Sequence, residues 1–202
     1  LPSAIDLAVI VTPATAVPAV LEDAARAGIH HALVLTAGFG ETGPEGRALE
    51  ERVGAIARQH GIRMVGPNCL GLMRPHIGFN ATFARRGANP GHIALVAQSG
   101  AVCAALTDWA WSAGIGFSSV VSLGAGTDLD FGEILDYLLF DEETLSILLY
   151  VEGIHDARAF IGALRAAART KPIVVQKVGR NSAGSRAAKS HTGEEMPSSC
   201  SH

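Results

Sequence analysis

Three parts of this 202-residue chain combine residue types that suit group transfer. His191 stands in Lys189-Ser190-His191-Thr192-Gly193, at the end of a stretch containing Gly179, Asn181, Ser182, Gly184 and Ser185. A neutral imidazole is a competent nucleophile near neutral pH, and it accepts a phosphoryl group when a carboxylate fixes its tautomer and N–H donors hold the phosphoryl oxygens. Histidines in such loops are also commonly solvated bystanders, and His30, His31, His60, His76, His92 and His155 are read that way. Glu152 follows an apolar run, where a carboxylate either orients an imidazole by accepting its N–H or caps a helix that begins near Asp156.

The second part is a pair of turns. Leu95-Val96-Ala97-Gln98-Ser99-Gly100-Ala101 passes from an apolar strand into a helix across small residues, which presents backbone N–H groups and the positive end of a helix dipole. Ser99 and Gly100 therefore bind an anion or, more plainly, cap and tighten the turn. Gly124-Ala125-Gly126-Thr127 occupies the same end of the next strand. Ligands of open α/β sheets gather at those carboxyl ends, so Gly124 and Gly126 join the candidate phosphate-binding set.

The third part is Gly66-Pro67-Asn68-Cys69-Leu70-Gly71, a rigid turn in which the Asn68 amide can both donate and accept. Cys69 is read as a small packing residue, because no helix N-terminus or histidine partner is evident to activate it. Thr12, Pro13 and Gly38 also lie at strand ends and form a candidate ligand rim.

The elements that must position these groups follow from hydrophobic periodicity. Short apolar runs alternate with longer amphipathic stretches, as in a parallel sheet covered on both faces. Strands are expected over 5–11, 32–36 and 62–65, with helices over 13–27 and 45–60 that stop at Gly28 and Gly61. Periodicity fades from Leu72 to Pro90, where Pro75, Gly78, Gly87 and Pro90 interrupt any regular run. Beyond it come strands over 93–97, 118–123, 146–151 and 173–177 and helices over 101–113, 130–140 and 156–169. The expected organisation is α/β throughout: a partial Rossmann-like domain over 1–75, a linker over 76–90, a flavodoxin-like domain with a parallel sheet over 91–193, and an irregular tail over 194–202.

Composition narrows the function. With 48% hydrophobic residues and 23 glycines the chain has material for packed cores, and a formal charge of −3 supplies no basic field for nucleic acid. The three cysteines show no paired spacing, so no disulfide framework or metal site is expected and a reducing, cytoplasmic setting is. No apolar run reaches the length of a membrane span.

Together, Gly66-Pro67-Asn68-Cys69-Leu70-Gly71, Ala97-Gln98-Ser99-Gly100-Ala101, Glu152-Gly153 and Ser190-His191-Thr192-Gly193 resemble the NDP-forming acyl-CoA synthetases, including the alpha subunit of succinyl-CoA synthetase. The resemblance implies a CoA-binding Rossmann-like domain, missing its first part here, followed by a CoA-ligase domain. It implies that His191 is phosphorylated, that Glu152 orients it, and that Ser99 and Gly100 hold the phosphoryl group. Thr12, Pro13, Gly38 and Asn68 fall where the family contacts coenzyme A. The implied substrates are an acyl-CoA or short organic acid, and ATP/ADP with magnesium is expected on an ATP-grasp domain or subunit; self-association is left open. Two other readings stand beside this one: a CoA-sensing region of a protein lysine acetyltransferase, and a noncatalytic scaffold domain.

Overall fold

A computed structural model describes residues 4–178, so His191 and the 194–202 tail lie outside the described residues. The first sheet contains β1 (Ala8–Ile10), β2 (His31–Val34) and β3 (Arg63–Val65), all parallel and in that order. Between them run α1 (Val17–Arg26) and α2 (Pro44–His60). The expected helix from residue 13 begins instead as a single 3₁₀ turn, Ala14–Ala16, before α1 proper. Helix α2 opens on Pro44, whose fixed φ suits a first turn, and closes on Gly61 at φ 64. Val17, Leu21, Val53, Ile56 and Ala57 on these helices pack against Ile10, Ala32, Val34 and Met64 of the strands. Burial of each Val, Leu or Ile side chain contributes about 1.5–3 kcal/mol, which offsets the small hydrogen-bonding capacity of such short strands.

The second sheet has six strands in the order β5-β4-β7-β6-β8-β9. Its parallel core is β6 (Pro90–Ala97), β7 (Phe117–Ser122), β8 (Ser146–Val151) and β9 (Ile173–Lys177), joined by α3 (Gly100–Ser112), α4 (Phe131–Phe140) and α5 (Ala157–Ala167). Taken in chain order, these four strands lie 2-1-3-4, the flavodoxin-like arrangement. One face buries Val96, Val121, Leu149 and Val151 under Phe131, Leu135, Leu138 and Phe160 of α4 and α5.

The remaining strands, β4 (Gly71–Arg74) and β5 (Phe79–Thr82), form an antiparallel hairpin, and β4 pairs with β7. Part of the stretch expected as a linker over 76–90 is strand, and residues 71–74 belong to the second sheet. Four-residue strands around a Pro75–Ile77 turn closed by Gly78 are too short to show a period, and β4 finds its partners Val120 and Val121 far along the chain.

The two sheets are tied at several points. Met64 N donates to Asp128 Oδ2 at 2.7 Å and Leu129 N to Met64 O at 3.1 Å. Ala125 N donates to Pro67 O at 2.9 Å, and Leu70 N to Ser122 Oγ at 2.9 Å. Leu33, Val65 and Cys69 fill the small apolar seam, with Leu129 against them.

Candidate functional site

A cleft of about 1200 Å³ opens where the carboxyl ends of β6, β7 and β8 meet the Gly66–Leu70 turn. Ser99, Gly100, Gly124, Asn68 and Glu152 line it together. Thr12, Pro13, Gly38 and Gly126 are not among its lining residues. His191 is outside the described residues.

Ser99 is the N-cap of α3; its side chain accepts from Val102 N at 3.4 Å and its carbonyl from Cys103 N at 3.1 Å. Gly100 and Ala101, in the first turn, have no acceptor within the helix and face the cleft. This end of a 13-residue helix offers amides and dipole to an anion. The two glycines also have a packing reason. A Cβ on Gly100 would lie 3.2 Å from Leu70 N, and one on Gly124, at φ 61, would lie 2.1 Å from Pro67 O. The Gly66–Leu70 turn therefore sits against bare backbone of both phosphate-type turns. Asn68 takes φ 57, a left-handed conformation that asparagine tolerates better than most residues.

Glu152 is only 8% exposed. Gln98, itself 6% exposed, explains how it is held. Gln98 Oε1 accepts from Glu152 N at 2.7 Å and from Gly153 N at 2.9 Å, and Lys177 Nζ donates to Glu152 O at 2.7 Å. The backbone at 152 and 153 is thus fixed across β6, β8 and β9. Burial, followed by the charge of Glu152, pushes the Tyr150 phenol above its usual pKa.

Cys69 is buried, donates to Val34 O at 3.3 Å, and burial pushes its thiol up to about 12. That is the behaviour of a packing residue rather than a nucleophile. Cys103 is raised in the same way, to about 12.

Several lining residues escaped the sequence reading. His155 lies on the cleft with Nδ1 3.4 Å from Asp130 Oδ2, and the Asp130 Oδ1 atom is buried with no hydrogen-bond partner. Its signal was available: it follows Glu152 by three residues at the same sheet edge. Glu41, Arg47 and Glu50 come from the first domain. Glu50 accepts from Gly40 N and from Thr127 Oγ1, both at 3.0 Å, and so bridges the domains. Glu41 accepts from Gly38 N at 2.5 Å and Phe39 N at 3.2 Å. That small nest already holds a carboxylate, and in the Gly124 turn the amides of Ala125, Gly126 and Thr127 donate to the carbonyls of Pro67, Leu123 and Gly66, so the amides left open on the cleft are those of the first turn of α3. Thr12 Oγ1 is buried without a hydrogen-bond partner.

A parallel flavodoxin-like sheet, a helix N-terminus and a buried acid at its carboxyl edge, and a smaller α/β unit against that edge define the class to which the comparisons also point. The family model described as succinyl-CoA ligase like flavodoxin domain matches residues 90–199, and one described as CoA binding domain matches residues 2–75. The chain belongs to this family, that of the NDP-forming acyl-CoA synthetases. It is 45% identical over 193 residues to an acetate–CoA ligase [ADP-forming] I of Archaeoglobus fulgidus, covering 96% of this chain and 28% of that protein. It is 42% identical to the acetate–CoA ligase [ADP-forming] II subunit alpha of Pyrococcus furiosus, covering 96% of this chain and 42% of the relative. A solved structure of the dinucleotide forming acetyl-coenzyme A synthetase 1 of Ca. Korarchaeum cryptofilum, in complex with phosphate and ADP, superposes with a TM-score of 0.92 at 39% identity. That match covers 98% of this chain and 43% of the other. The chain thus spans less than half the length of these relatives. Among the described residues no helix is long and apolar enough to cross a membrane.

Proposed function

We propose that this chain is the CoA-handling, phosphohistidine-bearing part of a synthetase that interconverts acyl-CoA, phosphate and ADP with acid, CoA and ATP. The observation that carries this reading is the convergence of Ser99, Gly100, Gly124 and buried Glu152 on one cleft. In the first step a phosphate oxygen attacks the thioester carbonyl, the C–S bond breaks, and CoA leaves as acyl phosphate forms. His191 then attacks phosphorus, the bond to the acyl oxygen breaks, and the free carboxylate departs. Phosphoryl transfer from His191 to ADP completes the cycle, which runs in either direction.

The roles of the chain's own residues follow from their surroundings. Glu152 accepts an N–H of His191, leaving the other ring nitrogen with its lone pair toward phosphorus. The first-turn amides at Gly100 and Ala101, with the α3 dipole, offset charge on the phosphoryl oxygens. The Gly124 turn contributes shape, because the amides of Ala125, Gly126 and Thr127 already donate to the carbonyls of Pro67, Leu123 and Gly66, and Gly126 leaves room beside Asp130 and His155. Asn68 and the apolar rim of Leu35, Phe83 and Ile154 face the acyl-thioester side. At the carboxyl end of the first sheet, Thr12 and Pro13 form an outer rim for coenzyme A, and the unpartnered Thr12 hydroxyl supports a contact there. Gly38 contributes the shape of its turn, its amide being taken by Glu41.

Residues 1–75 and 91–193 act as CoA-binding and ligase units, and nucleotide with magnesium is held by an ATP-grasp domain or subunit. The nucleotide step belongs to that domain or subunit. The greater length of the relatives supports that partner.

The test is labelling of the intact protein with radiolabelled ATP and magnesium. The expected product is an acid-labile, base-stable phosphate that His191→Ala abolishes and that Glu152→Gln slows about tenfold or more. Unchanged labelling in His191→Ala would falsify the assignment.

A further inference from the structure

At the opposite end of the second sheet three side chains converge that no step of the proposed reaction uses. His76 comes from the turn between β4 and β5, His92 from the start of β6, and Glu143 from the turn before β8. One ligand-type atom from each lies within 4.8 Å of the other two. His76 Nε2 is 3.5 Å from Glu143 Oε2, and the two imidazole rings are 5.8 Å apart between centroids.

Each ring is oriented by a backbone carbonyl. His76 Nε2 lies 2.8 Å from Gly91 O, and His92 Nδ1 lies 2.9 Å from Glu143 O. In His92 the nitrogen facing the carbonyl carries the proton of a neutral ring, which leaves Nε2 with the lone pair that a metal ion needs, and a carbonyl behind the ring is the usual outer partner of a metal-bound histidine. In His76 it is Nε2 that faces both the Gly91 carbonyl and Glu143, so this exposed ring turns from the carbonyl to present a lone pair.

The backbone beneath the trio is held by a buried polar network. Arg74 donates to both oxygens of Asp141, at 3.0 and 3.1 Å, and Asp141 accepts from Thr144 Oγ1 at 2.5 Å. Ser118 and Thr144 hydroxyls meet at 2.7 Å with each residue at most 1% exposed, and Leu145 N donates to His92 O at 2.8 Å. The three ligand-bearing segments therefore have fixed backbones, while the ligand side chains reach solvent.

We propose that His76, His92 and Glu143 form a site for a divalent transition ion of the zinc class. Two imidazoles and one carboxylate are a donor set that zinc takes with water as fourth ligand, whereas calcium and magnesium prefer oxygen alone. Ligand atoms about a tetrahedral zinc lie roughly 3.3 Å apart, so the exposed side chains close by up to about 1.5 Å on binding. The site is away from the cleft, and its effect is to clasp the β4–β5 hairpin to β6 and to the lead into β8.

The probes are Zn²⁺ and Co²⁺, added to the full chain purified without a tag and stripped with chelator. The wild type binds one Zn²⁺ in competition with a chromophoric chelator, and Co²⁺ shows the intense visible bands of a tetrahedral complex. His76→Ala and His92→Ala weaken binding about tenfold or more and remove those bands. Glu143→Gln leaves the carbonyl that His92 faces, so it tests the carboxylate ligand without disturbing the backbone; it also weakens binding. Zn²⁺ raises the melting temperature of the wild type and not of the three variants, whose metal-free melting shows that they are folded. Equal affinity in the variants, or no binding by the wild type, overturns the proposal.

Discussion

The two ends of the six-stranded sheet are built on opposite plans. At the carboxyl ends of β6, β7 and β8 the polar groups face outward into a cleft: first-turn amides of α3, a glycine turn, and the carboxylate-bearing Glu152. At the amino ends they close on one another. Arg74 reaches Asp141, Ser119 and Tyr137, Thr144 joins Asp141 to Ser118, and Lys171 donates to the carbonyls of Leu138 and Asp141. A polar group whose partners all lie within the fold stabilises that fold, which leaves ligand capacity at this end to the exposed His76, His92 and Glu143 alone. Stability and the proposed phosphoryl chemistry are thus separated along the strand direction, and the contrast can be tested.

The largest effect on stability is expected at the closed end. Asp141 is 8% exposed at its side chain, and removing it leaves the Arg74 guanidinium without its bidentate partner. Asp141→Ala should lower the unfolding free energy by about 3 kcal/mol in denaturant titrations while leaving phosphorylation of His191 unchanged. The same residue predicts a pH dependence. Burial pushes its carboxyl up, but the Thr144 hydroxyl and the Arg74 guanidinium outweigh burial and hold it below the usual carboxylate range. A depressed native pKa adds stability that is fully present above the unfolded value, about 3.9, and is lost as pH falls through the native one. Asp141→Asn should flatten that acid limb of the stability curve.

Gly124→Ala ranks next and blurs the division. Its Cβ would meet Pro67 O at 2.1 Å with φ at 61, so a loss of about 2 kcal/mol is expected together with slower phosphorylation. Ser99→Ala has the smallest effect on stability. Its cap bond is long, at 3.4 Å, so unfolding should change by under about 1 kcal/mol, while labelling of His191 slows about tenfold. A Ser99 variant that lost stability and kept its labelling rate would reduce this turn to a cap and erase the contrast between the two ends.

The parts of the molecule legible in the sequence are those whose signal is local. The apolar runs of β6 to β9, the longer helical stretches between them, and the glycine at the end of α2 could all be read within a few residues of themselves. The β4–β5 hairpin could not, because its strands are short and its pairing with β7 depends on contacts remote in sequence. The same limit applies to the candidate site. Ser99 and Glu152 were visible as residues at strand ends, yet the backbone at Glu152 is held by Gln98, whose side chain accepts its N–H across 54 residues of chain. The glycines of the two turns were read for their amides. Their close approach to Leu70 and Pro67 is a contact between domains, and no spacing rule reveals it. His76, His92 and Glu143 were passed over for a related reason: His92 faces the Glu143 carbonyl across 51 residues.

The bare backbone at Gly100 and Gly124 has a consequence for how such a cleft diverges. Amide dipoles belong to the main chain, so most substitutions nearby leave the anion pole as it is, and only the two glycines are constrained directly. The same cleft is also lined by the side chains of Leu35, Phe83 and Ile154, which can be enlarged or trimmed without altering main-chain dipoles. On the proposed function, such a scaffold would change the organic group it accommodates while conserving the backbone that handles the inorganic one.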